Sequence, residues 1–145
     1  MKVVIWGSAR TPSDSNLYKA IYRMANELAQ DGWTVVTGGG YGSMEAANKG
    51  AYDHCGEDGQ CSMAEAIHLP FEEAINEYVQ AYEKHDEFFS RLKMFTTCDA
   101  FIITPGGIGT LLEMSLIYQL VQVNHVDHKP IICVGRMWRK LREWI

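Results

Sequence analysis

The chain has 145 residues, the length of one domain, and is 47% apolar and 21% charged, a balance that excludes an intrinsically disordered protein. Its net charge of −5 argues against a nucleic-acid partner, which needs a basic face; the basic cluster Arg136, Arg139, Lys140 and Arg142 reads as the solvated side of a terminal helix. No apolar run approaches the roughly 18 residues of a membrane span, and Met1-Lys2-Val3-Val4-Ile5 leads into a strand instead of a secretion signal, so no membrane partner and a cytoplasmic location are expected.

In chain order, Val3 to Trp6 reads as a first strand that ends at Gly7-Ser8. Leu17, Ile21, Met24, Ala25 and Leu28 recur at helical spacing until Asp31-Gly32 stops the helix. Trp33 to Thr37 is a second strand entering Gly38-Gly39-Gly40-Tyr41-Gly42, Ser43 to about His54 is a helix, and Gly56 to Gln60 is a polar turn. Ala64 to Leu69 is a weaker third strand before Pro70. Glu72 to Thr97 reads as mostly helical, in two segments broken around His85-Asp86. Ala100 to Thr104 is a fourth strand, Gly109 to about Asn124 a long helix, Ile131 to Val134 a fifth strand, and Met137 to Ile145 a last helix.

Short runs rich in Val and Ile that alternate with helices predict an α/β fold: one Rossmann-like, doubly wound parallel sheet of about five strands, helices on both faces, in a single domain over 1–145. Such sheets bind ligands at the carboxyl ends of their strands. Cys55, Cys61, Cys98 and Cys133 show neither C-x-x-C spacing nor a dense framework, so reduced thiols are expected. His54, His68, His85, His125 and His128 are scattered, and His125-Val126-Asp127-His128 reads as a surface loop, its alternative being adventitious capture of a metal; no metal site is expected.

The stretch Ile103-Thr104-Pro105-Gly106-Gly107-Ile108-Gly109-Thr110-Leu111-Leu112-Glu113 joins a buried strand to a helix through glycines. Gly106, Gly107 and Gly109 leave backbone N–H groups free to converge on an anion, at a helix N-terminus that itself favours negative charge. Glu113 lies about 5.4 Å further along the axis and points back at the loop, side chains leaning toward the N-terminus. Phosphate and carboxylate then share a pocket. The alternative is a capping box, in which Thr110 and Glu113 satisfy the first-turn N–H groups of the helix.

A second glycine loop, Gly38 to Gly42, precedes Ser43-Met44-Glu45, so each loop feeds a helix that carries an acid. Two such loops on one sheet edge point to a nucleotide site, although Glu45 also suits a favourable charge in a first helical turn. Neither loop completes G-x-G-x-x-G, no G-K-[ST] is present, and G-x-S-x-G is absent; NAD, a Walker-type triphosphate site and a serine elbow are disfavoured.

Thr37-Gly38-Gly39-Gly40-Tyr41-Gly42-Ser43-Met44-Glu45-Ala46-Ala47-Asn48-Lys49-Gly50-Ala51, Leu69-Pro70-Phe71-Glu72 and the Pro105 to Glu113 motif resemble the LOG family of nucleoside 5′-monophosphate phosphoribohydrolases, long labelled "possible lysine decarboxylase", in its M-E-A-A-N branch. The similarity runs from Gly7-Ser8 to Trp138. It implies hydrolysis of the N-glycosidic bond of an AMP-like purine nucleotide, with or without an N6 substituent, to free base and ribose 5-phosphate, with no cofactor. Pyridoxal phosphate, which the decarboxylase label implies, has no support in the sequence.

Carried over, the resemblance gives Gly106, Gly107, Gly109 and Thr110 the 5′-phosphate, makes Glu113 the catalytic carboxylate, and lines the ribose and base side with Gly7, Ser8, Gly39, Gly40, Met44 and Glu45. The family has an arginine here, usually in an R-K pair. In Phe88-Phe89-Ser90-Arg91-Leu92-Lys93-Met94-Phe95 ungapped alignment back from Asp99 puts Ser90 at its position and Arg91 at the lysine's, a one-residue gap puts Arg91 there, and the alternative is an arginine on a helix surface. A carboxylate beside the anomeric carbon stabilises an oxocarbenium-like transition state and orients water, while the arginine holds phosphate or carboxylate.

The resemblance also implies a homodimer or higher homo-oligomer, with the apolar helix from Leu111 to Val123 as a candidate surface; packing on the sheet is its other role. Relatives continue past the Trp138 helix, so the chain is expected to be C-terminally short, leaving an edge open to pairing. The alternative function is a non-catalytic carrier of a nucleotide or of the molybdenum cofactor.

Overall fold

The computed structural model describes residues 1–71 and 74–145. In chain order the elements are β1 (Lys2–Trp6), α1 (Asn16–Gln30), β2 (Thr34–Thr37), α2 (Ser43–Cys55), β3 (Ser62–Ile67), β4 (Ala81–His85), α3 (Phe88–Thr96), β5 (Ala100–Ile103), α4 (Ile108–Gln122), β6 (Ile131–Cys133) and α5 (Trp138–Trp144). They form the expected α/β Rossmann-like sheet, every pairing parallel, in the order β4-β3-β2-β1-β5-β6.

Alternation along β1 builds both cores. Val3 and Ile5 face α1 and α2 through Ile21, Ala25, Ala46 and Ala47. Val4 and Trp6 face Leu92 and Phe95 of α3, Met114 and Ile117 of α4, and Trp138 of α5. The chain crosses from one side of β1 to the other between β4 and β5, so the switch point where such sheets open a crevice lies beyond the carboxyl ends of β1 and β5. α1 starts at Ser15, whose hydroxyl accepts from the Tyr18 N–H at 3.1 Å, and packs on α2 at Gly50, where any side chain would strike the Tyr22 carbonyl.

Several expectations need correction. The sheet has six strands because Ala81–His85, expected to be helical, is β4, an edge strand paired with β3 alone. Ala81 to Lys84 are exposed, so β4 has no apolar run to read, and its Tyr-Glu-Lys interior also suits a helix surface. Residues 74–80 are turns and irregular backbone, leaving only Phe88–Thr96 of the expected helical stretch as helix; the part of that expectation on Glu72 and Glu73 lies outside the described residues. Cys55 and Cys61, expected as free thiols, are paired in a disulfide between the end of α2 and the start of β3, with Cα atoms 6.1 Å apart. Cys98 and Cys133 are free. No helix among the described residues is long and apolar enough to cross a membrane.

On α4, Met114 and Ile117 pack into the core while Ile108, Leu112 and the C-cap residue Val123 are exposed, so the helix serves the sheet with one face and leaves another apolar.

Candidate active site

A chamber of about 420 Å³ opens at the switch point. The end of β1 supplies Trp6, Gly7 and Ser8, followed by Ala9 and Arg10; the second glycine loop and α2 supply Gly38 and Met44; α3 supplies Arg91; the first glycine loop and the start of α4 supply Gly107 to Thr110 and Glu113. The loops are stitched by backbone bonds from Ser8 N–H to the Pro105 carbonyl at 3.1 Å and from Ser43 N–H to the Ser8 carbonyl at 2.9 Å.

α4 begins at Ile108 with Gly107 as its cap, and no side chain accepts from its first-turn N–H groups. The capping-box alternative is therefore not realised: Thr110 is a buried residue inside the helix, and Glu113 turns to the chamber. A side chain added at Gly107 or Gly109 would meet open space, so these two positions leave the helix's positive end uncovered for an anion.

Arg91 reaches the site from the far side. Its Nε donates to the Glu65 carbonyl at 2.8 Å, Nη2 donates to the Gly38 carbonyl at 3.4 Å, and the guanidinium carbon lies 5.4 Å from the centre of the Phe95 ring. Gly38 is required here, because a Cβ would collide with the guanidinium. Burial draws the Arg91 pKa below its ordinary value, with Glu113 and Glu65 opposing, and the group stays a cation. Arg91 and Glu113 form no ion pair, and among the described residues nothing else pairs with either charge, so both face the chamber. Burial pushes the Glu113 carboxyl up to about 7, the nearby Arg91 pulling the other way. A carboxyl poised near neutrality and facing a chamber is suited to proton transfer.

A smaller chamber of about 190 Å³ adjoins the first across Gly38, Met44 and Arg91 and is walled by Gly39, Gly40, Ala66, Ile67, Leu69 and Ile75, with Lys84 at one side. The loop over it is held by a buried polar network. Thr37 Oγ1 donates to Asn48 Oδ1 at 2.6 Å and accepts from Gly39 N–H at 2.9 Å, and Asn48 Nδ2 donates to Ser62 Oγ at 2.8 Å. Asn76 Nδ2 donates to the Gly40 carbonyl at 2.8 Å and to Asn48 Oδ1 at 3.0 Å.

Of the site residues expected from sequence, Gly7, Ser8, Met44, Arg91, Gly107, Gly109, Thr110 and Glu113 line the main chamber, and Gly39 and Gly40 the smaller one. Two are elsewhere. Glu45 is turned toward α1, where its carboxylate accepts from the Tyr18 hydroxyl at 2.6 Å; desolvation first, then that bond, raises the Tyr18 pKa. Gly106 lies behind the loop against Thr110, in a cavity shared with Pro105 and Met137. Trp6, Arg10 and Lys84 escaped the sequence reading, and Gly38 was read as part of the second glycine loop without being assigned to the site. Arg10 carried a signal, a cation three residues past Gly7 at a strand's carboxyl end; Lys84 was hidden by the helical reading of β4. Among the described residues, the wall of the main chamber holds no lysine to form the imine that pyridoxal phosphate requires.

A family model described as "Possible lysine decarboxylase" matches residues 44–145, and one described as the SLOG cluster4 family matches residues 1–58. The chain is 31% identical over 140 residues to a cytokinin riboside 5′-monophosphate phosphoribohydrolase of Mycobacterium tuberculosis, covering 94% of this chain and 73% of that protein. Among solved structures, the molybdenum cofactor carrier protein from Chlamydomonas reinhardtii superposes with a TM-score of 0.71 at 19% identity, over 99% of this chain and 83% of that one. The molybdenum cofactor binding protein of Rippkaea orientalis gives a TM-score of 0.69 at 24% identity, over 97% of this chain and 80% of that one. These two share the fold. With a matching family model and a relative of such coverage, the chain belongs to the LOG family, the group described as possible lysine decarboxylases.

Proposed function

We propose that the protein hydrolyses the N-glycosidic bond of an AMP-like purine nucleoside 5′-monophosphate, releasing free base and ribose 5-phosphate. The observation that carries this reading is the convergence of Glu113, Arg91 and the uncovered N-terminus of α4 on one chamber. The 5′-phosphate sits at Gly107 to Thr110, where helix N–H groups and the dipole favour it. Arg91 offers its free N–H groups to the same phosphate or to the ribose hydroxyls. The N-glycosidic bond breaks with its electron pair leaving on the base, and the positive charge that grows at the anomeric carbon is stabilised by the Glu113 carboxylate. The water oxygen bonds to that carbon as its proton passes to Glu113, which returns it to solvent, and the departed base takes up a proton from solvent. Phosphate contacts position the reacting carbon, so a nucleoside without phosphate is a poorer substrate. The named activity of the M. tuberculosis relative supports this reaction class.

The test is incubation with AMP and other nucleoside monophosphates, base release being followed chromatographically, with wild type, Glu113→Gln and Arg91→Ala. Release by wild type that falls by at least about 10² in Glu113→Gln supports the reading. Release that survives the substitution removes Glu113 from the chemistry. Tight nucleotide binding with no release by wild type establishes a carrier instead.

A further inference from the structure

The edge of the sheet holds a second cluster of charged side chains, away from the chamber. β3 and β4 pair with Glu65 beside Glu83 and Ile67 beside His85, so strand alternation puts Glu65, Glu83 and His85 on one face. One donor atom from each lies within 4.8 Å of the other two. Glu65 is 8% and His85 7% exposed, whereas Glu83 is open to solvent.

The protons around His85 are informative. Ser90 Oγ donates its single hydrogen to the Glu87 carbonyl at 3.0 Å, so at 3.1 Å from His85 Nδ1 it accepts the N–H of the ring. A neutral imidazole then turns the lone pair of Nε2 toward Glu65 Oε2, 2.6 Å away. That contact is bridged either by a proton or by a metal cation; Arg91 stands apart from it, its Nε donating to the Glu65 backbone carbonyl. A proton would satisfy the pair alone and gives no role to Glu83. A divalent cation uses all three: two carboxylates balance its charge, the imidazole completes a face, and Ser90 fixes the ring tautomer as outer-sphere partners of ligand histidines do.

We propose that Glu65, Glu83 and His85 bind a divalent transition metal, with Zn²⁺ the best match to one imidazole and two carboxylates and a fourth position left to water. Tetrahedral donors about 2.0 Å from Zn²⁺ stand about 3.3 Å apart, so binding opens the His85 to Glu65 contact and draws in the exposed Glu83. The ion ties the edge strand β4 to β3 directly behind the carbonyl that seats Arg91.

The full chain, stripped with a chelator, is titrated with Zn²⁺ by calorimetry in competition with a chromogenic chelator. Wild type is expected to take up one equivalent, with affinity lowered at least about tenfold in Glu83→Gln and in His85→Gln and unchanged in a His125→Ala, His128→Ala control. Co²⁺ in the same site gives visible bands without thiolate charge transfer, which separates it from binding by Cys98 or Cys133. Because Glu83 is exposed, its substitution leaves the core intact and reads ligation alone. No stoichiometric uptake by wild type, uptake indifferent to Glu83→Gln, or a thiolate band overturns the proposal and leaves His85 and Glu65 sharing a proton.

Discussion

Glu113 is the point where the chemistry of the site and the stability of the fold are opposed, and Glu113→Gln measures the conflict. In the unfolded chain its carboxyl titrates at the ordinary value of 4.5, and in the folded protein burial moves it up to about 7. Between those values the native state holds a proton that the unfolded state has released, so stability falls as pH rises. At about 1.4 kcal/mol per pH unit, the loss accumulated by about pH 8 is roughly 3 kcal/mol. Among the described residues the side chain has no hydrogen-bonded partner to offset that loss, and Arg91 opposes it only in part.

Glutamine has nearly the same shape and no charge, so the penalty disappears. Unfolding entropy of about 2.1 cal/mol/K per residue converts roughly 3 kcal/mol into a rise in Tm of about 10 °C for a domain of this size. The measurement is thermal unfolding of wild type and Glu113→Gln across about pH 4.5 to 8. The two curves should coincide at the acid end and diverge upward, the variant being the more stable at about pH 8 and the less active everywhere. All other titrating groups are common to both proteins and cancel in the difference. Parallel profiles would refute the reasoning, since they would mean that Glu113 carries its charge into the folded state at no cost.

Activity toward a nucleoside monophosphate should rise with pH through about 7 as Glu113 ionises, and an acid-side profile unrelated to that carboxyl in kcat/KM counts against its role as base. Gly38→Ala places a methyl group against the Arg91 guanidinium and should raise KM by about tenfold with the melting curve little changed; normal kinetics would show that Arg91 does not work from its observed position. Asn76→Ala strips the loop of its bonds to the Gly40 carbonyl and Asn48 and should cost about 2 kcal/mol by chemical denaturation, and a loss under about 0.5 kcal/mol would show that water replaces the amide. Arg91→Lys, which keeps the charge but loses the planar fork, should retain under about a tenth of wild-type activity; near-complete rescue would assign Arg91 a purely electrostatic part.

The glycine loops were legible because each signal is local. A strand that ends in glycines with a helix behind it fixes where N–H groups point, whatever the rest of the chain does, and the cradle at Gly107 and Gly109 needs nothing else. Residues whose role depends on rotation about a helix were not legible. Met44 and Glu45 are neighbours in sequence and about 100° apart around α2, so Met44 enters the chamber while Glu45 turns to Tyr18 on α1. Spacing located the acid but not the face, because the face is set by packing against α1, a contact between segments 27 residues apart in the bond from Tyr18 to Glu45. Arg91 shows the same limit from the other direction: a one-residue ambiguity along the chain vanishes in three dimensions, since Gly38 leaves room for one guanidinium and Arg91 fills it.

The edge strand carries this furthest. β4 is stabilised from one side only, by ladder bonds to β3, so its sequence need not be apolar and its Tyr-Glu-Lys interior resembles the face of a helix. Misreading it had two costs that share one cause. Lys84 was lost from the wall of the smaller chamber, and Glu83 and His85 were lost from the cluster with Glu65, because each pair of neighbours exists only through the register of β4 on β3. Strand alternation then gives β4 two faces: Lys84 faces the glycine loop, while Glu83 and His85 face α3 and the base of Arg91. A one-residue slip in that register would exchange the faces and empty both sites, so the Gln80 side chain, which accepts from the N–H groups of Cys61 and Ser62 at 2.8 and 2.9 Å, sets the functional alignment of the edge as much as its stability.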